Sequence, residues 1–318
     1  MTIAPPGPEA AGRFGADLSA LWPGMGRRGR AVSGGPDSLA MLLLARAALP
    51  GRIAAATVDH GLRAESAAEA AMVSDLCARL DVPHQTLKVE LAAGNVQAQA
   101  RTARYAALAE WMERAGLEAL LTAHHADDQA ETLLLRLGRG SGVAGLAGVR
   151  ARGVVPGTRL PLLRPLLAWR RAELAEVVAA AGLVAVDDPS NRDDRFDRAR
   201  IRKAIAGADW LDVPALAQSA ANLADADAAL DWAAAREWAE CVVKGPMGFI
   251  YRPQAPRAVA LRVLTRIVTE LDGNTPRGSA VARLFDRLVA RQPASIGSLV
   301  ARAMPDGWTV TKAPQRRT

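Results

Sequence analysis

Apolar runs and amphipathic stretches take turns along the first two thirds of the chain. Residues 53–58, IAAATV, form a short continuous apolar run of the buried-strand type, and 66–80, SAAEAAMVSDLCARL, change to helical spacing. The cycle repeats: HQTLKVEL (84–91) predicts a strand, AQARTARYAALAEWMERAG (98–116) a helix closed by Gly116, EALLTA (118–123) a strand, and DDQAETLLLRLGRG a helix with a glycine end. Upstream, Ala31 and Val32 give a strand entry, and an apolar helix pattern begins at Leu39. This alternation predicts an α/β fold, a doubly wound, mainly parallel sheet of Rossmann-like type. Ligands in such sheets bind beyond the carboxyl ends of the strands.

Past a glycine-rich loop at 138–148 the pattern gives a β-excursion, a helix at 170–183 and a polar stretch at 186–205. Composition shifts near 207–214, and three further segments carry helical periodicity. The expected organisation is a loose lead-in over 1–30, an α/β catalytic domain over 31–210, and a helical domain over 214–318 with a short β-like tail.

Half of the 318 residues are apolar and 23% are charged, an ordinary globular composition with room for about two domains. The formal net charge of +7 suits a polyanionic partner, and equally a plain soluble basic protein. Cys77 and Cys241 stand far apart with no CxxC, which excludes a disulfide framework or a thiolate metal site and fits a reducing cytoplasm. No basic start precedes an apolar core and no run approaches 18 apolar residues, so neither export nor membrane insertion is expected.

Ser33, Gly34, Gly35, Pro36, Asp37 and Ser38 lie between the first strand and its helix. Glycine permits tight turns and close backbone approach, and a helix start offers unpaired N–H groups, so SGGPDS reads as a cradle for phosphate oxygens. Asp37 is placed to hold a hydrated Mg²⁺ or to orient a reacting group. The loop is neither a Walker A sequence nor GxGxxG; an ordinary capped turn is the plainer alternative. VDHGLR follows the second strand and puts Asp59, His60 and Arg63 near the same edge. In TAHHADDQAET, Asp128 and Glu131 are three residues apart and share a helix face, opposite Ala130, Leu133, Leu134 and Leu137. His124 sits just before that helix, within reach of Asp128. The spacing matches no HExxH or other zinc pattern. Arg104 offers a permanently charged fork for phosphate oxygens, or else a surface arginine.

SGGPDS, VDHGLR, ARYAAL, TAHHADDQAETLLLRLGRGSGVAGLAGV, RPLL and DDPSNRDDRFDRARIR, in this order over residues 31 to about 205, resemble the tRNA(Ile)-lysidine synthetase family of ATP-pyrophosphatases (PP-loop enzymes). The resemblance implies a ligase that uses ATP and Mg²⁺ to adenylate the wobble cytidine of a CAU-anticodon tRNA(Ile) at its carbon-2 oxygen, releasing pyrophosphate. Free L-lysine then attacks carbon-2, expels AMP and leaves lysidine. It further implies Ser33 to Ser38, Asp59 and His60 as the ATP site, Arg104 against the α-phosphate region, and Asp128, Glu131 and His124 around the lysine amine. Arg63, Arg198 and Arg202 are the expected contacts to nucleotide or tRNA. Ala199 departs from the family, which carries Asn there, and Asp187 and Asp188 are rival partners for Arg198 and Arg202. Arg257, Arg262, Arg266, Arg283 and Arg287 in the second domain offer charge to the RNA. The chain looks too short for the extra C-terminal domain of longer members, and its oligomeric state, a homodimer included, stays open. Competing expectations are a tRNA cytidine thiolase, which would need a cysteine cluster; an amidating synthetase, which would need an ammonia source; and a non-catalytic nucleotide- or tRNA-binding module.

Overall fold

The computed structural model describes residues 3–59, 61, 65–89, 96–186 and 197–313. They fall into two compact units, Met1–Ala224 and Asp225–Thr318.

The first unit opens with helix α1 (Pro8–Leu21), within the segment expected to be a loose lead-in. Gly7 precedes Pro8 at the first helical position, where proline lacks an N–H that would be unsatisfied anyway, and Phe14 and Leu18, four apart, are buried. Proline and glycine here start a helix rather than prevent one. Strand β1 (Arg28–Ala31) leads into α2 (Pro36–Ala48), followed by β2 (Ile53–Asp59), α3 (Glu65–Arg79) and β3 (His84–Lys88). Next come α4 (Val96–Arg114), β4 (Ala119–Leu121), α5 (Ala126–Leu137), the short α6 (Val143–Leu146), β5 (Arg152–Val154) and β6 (Pro161–Leu163). Helices α7 (Arg171–Ala180) and α8 (Asp197–Ala206) follow, and α9 (Val213–Cys241) runs on into the second unit.

The sheet order is β3-β2-β1-β4-β6-β5, parallel except for β5. Each face carries its own core. Ala55, Leu121 and Leu163 pack with Leu42, Leu44, Val73 and Trp169 on one side. Ala54, Leu120 and Leu162 pack with Tyr105, Leu108 and Met112 on the other. Burial on both faces explains why these strands read as continuous apolar runs.

The second unit contains more strand than its periodicity suggested. β7 (Val242–Gly245), β8 (Gly248–Tyr251), β9 (Ala294–Ile296), β10 (Leu299–Met304) and β11 (Gly307–Lys312) form an antiparallel sheet in the order β7-β8-β11-β10-β9. α10 (Arg257–Asp272) and α11 (Gly278–Val289) bury Val263, Leu264, Ile267, Leu284 and Leu288 in the same core as Tyr251 and Val310. The helical pattern leading to Cys241 stops because Val242 and Val243 begin a hairpin, in which Phe249 and Tyr251 alternate inward.

Candidate active site

Parallel pairing brings the carboxyl ends of β2, β1, β4 and β6 side by side along one edge, in that order. Asp59 closes β2, the 33–35 loop follows β1, Thr122 to His125 follow β4, and Arg164 follows β6.

In the loop, Gly34 has φ +83°, a conformation that a Cβ would strain, and an added Cβ would lie 3.2 Å from Val186 Cγ2 and 3.3 Å from Met72 Cε. Gly35 is the N-cap of α2 with Pro36 behind it, and no side chain caps the helix there. The first N–H groups of α2 are therefore left for a ligand, at the positive end of the helix dipole. Ser38 holds the loop closed: its hydroxyl donates to Gly35 O at 2.9 Å and accepts from Ser33 N at 3.2 Å. Asp59 Oδ1 accepts from Gly61 N at 2.9 Å and Ser66 Oγ at 2.7 Å. His60 and Arg63 lie outside the described residues, as do Asp187 and Asp188.

His124 and His125 follow β4 ahead of α5, His125 in extended backbone as its N-cap, and the two meet different neighbours. His125 is buried at the start of α5, with Nε2 3.4 Å from Asp37 Oδ2 and 3.6 Å from Asp128 Oδ2, and Nδ1 3.6 Å from Asp127 Oδ2. Burial opposes its charge, but these carboxylates win and raise the imidazolium to about 9. His124 is governed by the opposite balance. Burial and the positive charges of Arg164, Arg104 and Arg198 outweigh Asp128 and lower it to about 4, while its Nδ1 lies 3.2 Å from Thr122 Oγ1.

Around α5 the acidic residues are individually anchored. Asp128 Oδ2 accepts from His125 N at 3.2 Å, capping the helix. Asp127 receives Arg170 Nε and Nη2, each at 3.3 Å, and Arg171 N at 2.8 Å. Although burial opposes ionisation, His125 and these donors hold its carboxyl well below the usual range. Glu131 is 1% exposed; its Oε1 accepts from Arg171 Nη2 at 3.0 Å and Arg202 Nε at 2.9 Å, and its buried Oε2 has no partner. The two-faced helix expected from spacing therefore breaks down: Glu131 is interior with Ala130 and Leu133, whereas Leu137 is 59% exposed. Arg202 is committed to Glu131, Arg198 is exposed, and Ala199 is buried on the inner face of α8. A cavity of about 290 Å³ opens beside this group, lined by Asp127, Glu131, Arg171, Arg202, Leu211 and Val213 among others.

The sequence singles out His124 from the histidine pair and passes over His125, whose carboxylate neighbours include Asp37, distant in sequence. It misses Arg170 and Arg171 because they arrive from 40 or more residues away. The RPLL segment was noted as a motif, but no signal in it marked Arg164 as part of the edge.

A PP-loop domain family matches residues 25–208. The chain is 50% identical over 313 residues to the tRNA(Ile)-lysidine synthase of Novosphingobium aromaticivorans, a match covering 97% of this chain and 95% of that one. Identity to the tRNA(Ile)-lysidine synthase of Zymomonas mobilis is 40% over 298 residues, covering 92% and 90%. Among solved structures, the U34-tRNA thiolase NcsA of Methanococcus maripaludis, solved with its iron–sulfur cluster, is similar with a TM-score of 0.56 and 15% identity, over 67% of this chain and 76% of that chain. That likeness extends to the fold alone.

Proposed function

Because the chain belongs to the PP-loop family of tRNA(Ile)-lysidine synthases, we propose that it joins free L-lysine to carbon-2 of the wobble cytidine in CAU-anticodon tRNA(Ile), and that the two sides of the strand edge divide the work. It is an ATP-dependent ligase acting on tRNA. The observation that carries the division is the pair of adjacent histidines, one held charged among carboxylates that include Asp37 of the phosphate-type loop, the other held neutral.

In the first half-reaction, ATP adenylates the carbon-2 oxygen. Negative charge grows on the departing pyrophosphate, and the N–H groups of the Ser33 to Ser38 turn at the start of α2 stabilise it; Arg104 meets the α-phosphate region. Asp59 and His60 complete the nucleotide side. Asp37 Oδ1 is buried without a partner. That orphaned oxygen fits Mg²⁺, an ion usually held by one or two carboxylates together with substrate phosphates. Bound there, Mg²⁺ would neutralise charge on the leaving group.

In the second, the lysine ε-amine must be neutral to attack, although its ordinary pKa of about 10.4 keeps it protonated near pH 7. Asp128 and the unpartnered Oε2 of Glu131 recruit the ammonium, and neutral His124 accepts its proton. The adjacent cavity suits the rest of the amino acid: Leu211 and Val213 line it for the alkyl stem, and Arg171 and Arg202 supply charge for the α-carboxylate. Arg198 and Arg63 face the nucleic acid in this reading. The reaction belongs in the cytoplasm with its tRNA and ATP; among the described residues, no helix is long and apolar enough to cross a membrane.

Labelled lysine, unmodified CAU-anticodon tRNA(Ile), ATP and Mg²⁺ test the proposal together. Incorporation is expected for the native chain and its loss for Asp37→Ala, with Asp128→Ala raising the KM for lysine far more than the KM for ATP. Pyrophosphate release onto some other acceptor would overturn the substrate assignment, and an Asp128→Ala enzyme with normal lysine affinity and turnover would overturn the division of labour.

A further inference from the structure

The arginines at this edge fall into two sets. Arg170, Arg171 and Arg202 are each tied to Asp127 or Glu131. By contrast, Arg104, Arg164 and Arg198, whose charges act on His124, and Arg101, beside Tyr105, have no ion pair to a carboxylate among the described residues. Arg164 is only 8% exposed. Its Nη1 donates to Arg150 O at 2.6 Å, which fixes the guanidinium against the strand, while its Nε is buried and makes no hydrogen bond. Arg104 Nε is likewise buried without a partner, and the buried Tyr105 hydroxyl lies against Arg164, whose charge it favours. The guanidinium carbons of Arg101 and Arg104 each lie 5.2 Å from the Tyr105 ring centroid. A buried, unpaired guanidinium costs several kcal/mol in general unless an anion completes it. Among the described residues no carboxylate pairs with these guanidinium groups, Asp128 acting on His124 instead, which leaves buried Arg164 open to an anion from a substrate.

Strand order indicates which substrate. The nucleotide side runs from Asp59 on β2 through the loop on β1, whereas Arg164 follows β6, on the far side of β4. That is two strand spacings, roughly 10 Å, from the phosphate-type loop. ATP with its terminal phosphates in the loop occupies the β2 to β4 side, and the groups beyond His124 face the second substrate. We propose that Arg164 and Arg101, with the Tyr105 hydroxyl between them, bind the phosphodiester flanking the splayed wobble cytidine, and so fix the depth to which the base enters. This rests on the lysidine reading above. A planar fork suits phosphate oxygens, and a backbone contact positions the nucleotide without reading its base.

The phosphate could instead be one of ATP's, and the test separates the two. Anticodon stem-loops carrying a neutral methylphosphonate at the phosphate on either side of the wobble cytidine are bound to the native chain, to Arg101→Ala and to Arg164→Lys. A non-hydrolysable ATP analogue is bound to the same three without RNA. Arg101 is exposed, so its removal leaves the fold intact, and Arg164→Lys keeps a cation in the buried position. The expected result is an affinity loss of about tenfold for the native chain at one of the two methylphosphonates, with little or no further loss in the variants, and unchanged analogue binding. Additive losses at both positions, or weakened analogue binding with RNA affinity intact, would overturn the assignment; the latter gives the site to ATP. If the native chain incorporates no lysine, the lysidine reading fails. If it does so while phosphate and arginine changes stay uncoupled, this inference alone fails.

Discussion

His124 and His125 are identical side chains one peptide bond apart, yet one is lowered to about 4 and the other raised to about 9. Burial and three arginines outweigh Asp128 at the first, whereas Asp37, Asp127 and Asp128 together outweigh burial at the second. Of the four histidines in the chain, His124 is expected to titrate near pH 4 and His125 near pH 9 when their ring resonances are followed by NMR. The linkage has opposite signs. For His125 the folded pKa exceeds the unfolded value of about 6.5, so its pairing contributes stability that is full below that pH and lost as pH rises through about 9. For His124 the folded pKa lies lower, so stability falls as pH drops from about 6.5 towards 4. A His124 resonance titrating well above pH 7 would remove the neutral proton acceptor from the proposed mechanism. Much of the candidate site was legible in advance at this scale: SGGPDS and HHADDQAET stand out as local patterns, and they follow the neighbouring strands β1 and β4. The clamps on Asp127 and Glu131 were not, because Arg170, Arg171 and Arg202 are brought to them by tertiary folding, and a helical repeat alone does not distinguish an interior glutamate from a solvated one.

Among the elements, β2 and β4 announced themselves through apolar runs and α3 and α4 through their spacing; the central β1, Arg-Gly-Arg-Ala with both arginines buried, fell mostly inside the expected lead-in and did not. Nor did helix α1, since its proline and glycine resembled linker composition. Yet it braces the site. Asp17 accepts from Trp169 Nε1 at 2.8 Å, Arg13 lies 4.2 Å over the Trp169 ring, and Trp169 O accepts from Ala126 N at 2.8 Å, at the first residue of α5. In the second unit Glu237 of α9 does similar work. Its Oε1 accepts from Tyr251 Oη at 3.0 Å, Gln254 N at 2.8 Å and Ala255 N at 3.1 Å, joining α9 to β8 and the segment before α10. Glu237→Ala strands those donors and is expected to cost about 2–4 kcal/mol in chemical denaturation, with Glu237→Gln costing less because an acceptor oxygen remains. Equal losses for the two variants would mean that charge rather than hydrogen bonding holds the junction.

For the whole molecule, a net charge of +7 suggested an RNA-binding surface, but the structure sorts the arginines named for it. Arg257 pairs with Asp286, Arg262 with Asp227 and Asp231, and Arg266 with Glu270. Arg283 and Arg287, one turn apart on the exposed face of α11, have no carboxylate partner among the described residues. tRNA affinity should fall steeply with salt, and the slope should flatten by about 0.7–0.9 for each of Arg283→Ala and Arg287→Ala but not for Arg262→Ala. A slope equally indifferent to all three would place the RNA elsewhere. The sheet itself carries a different kind of constraint. β4 is three residues long, set against β1 from Arg28 opposite Ala119 and against β6 from Leu120 opposite Leu162. One residue inserted between Leu121 and Thr122 would leave the TAHHADDQAET motif whole yet shift both imidazoles along the edge, away from the groups that set their charge states. The length of this segment is therefore as much a part of the active site as the residues in it.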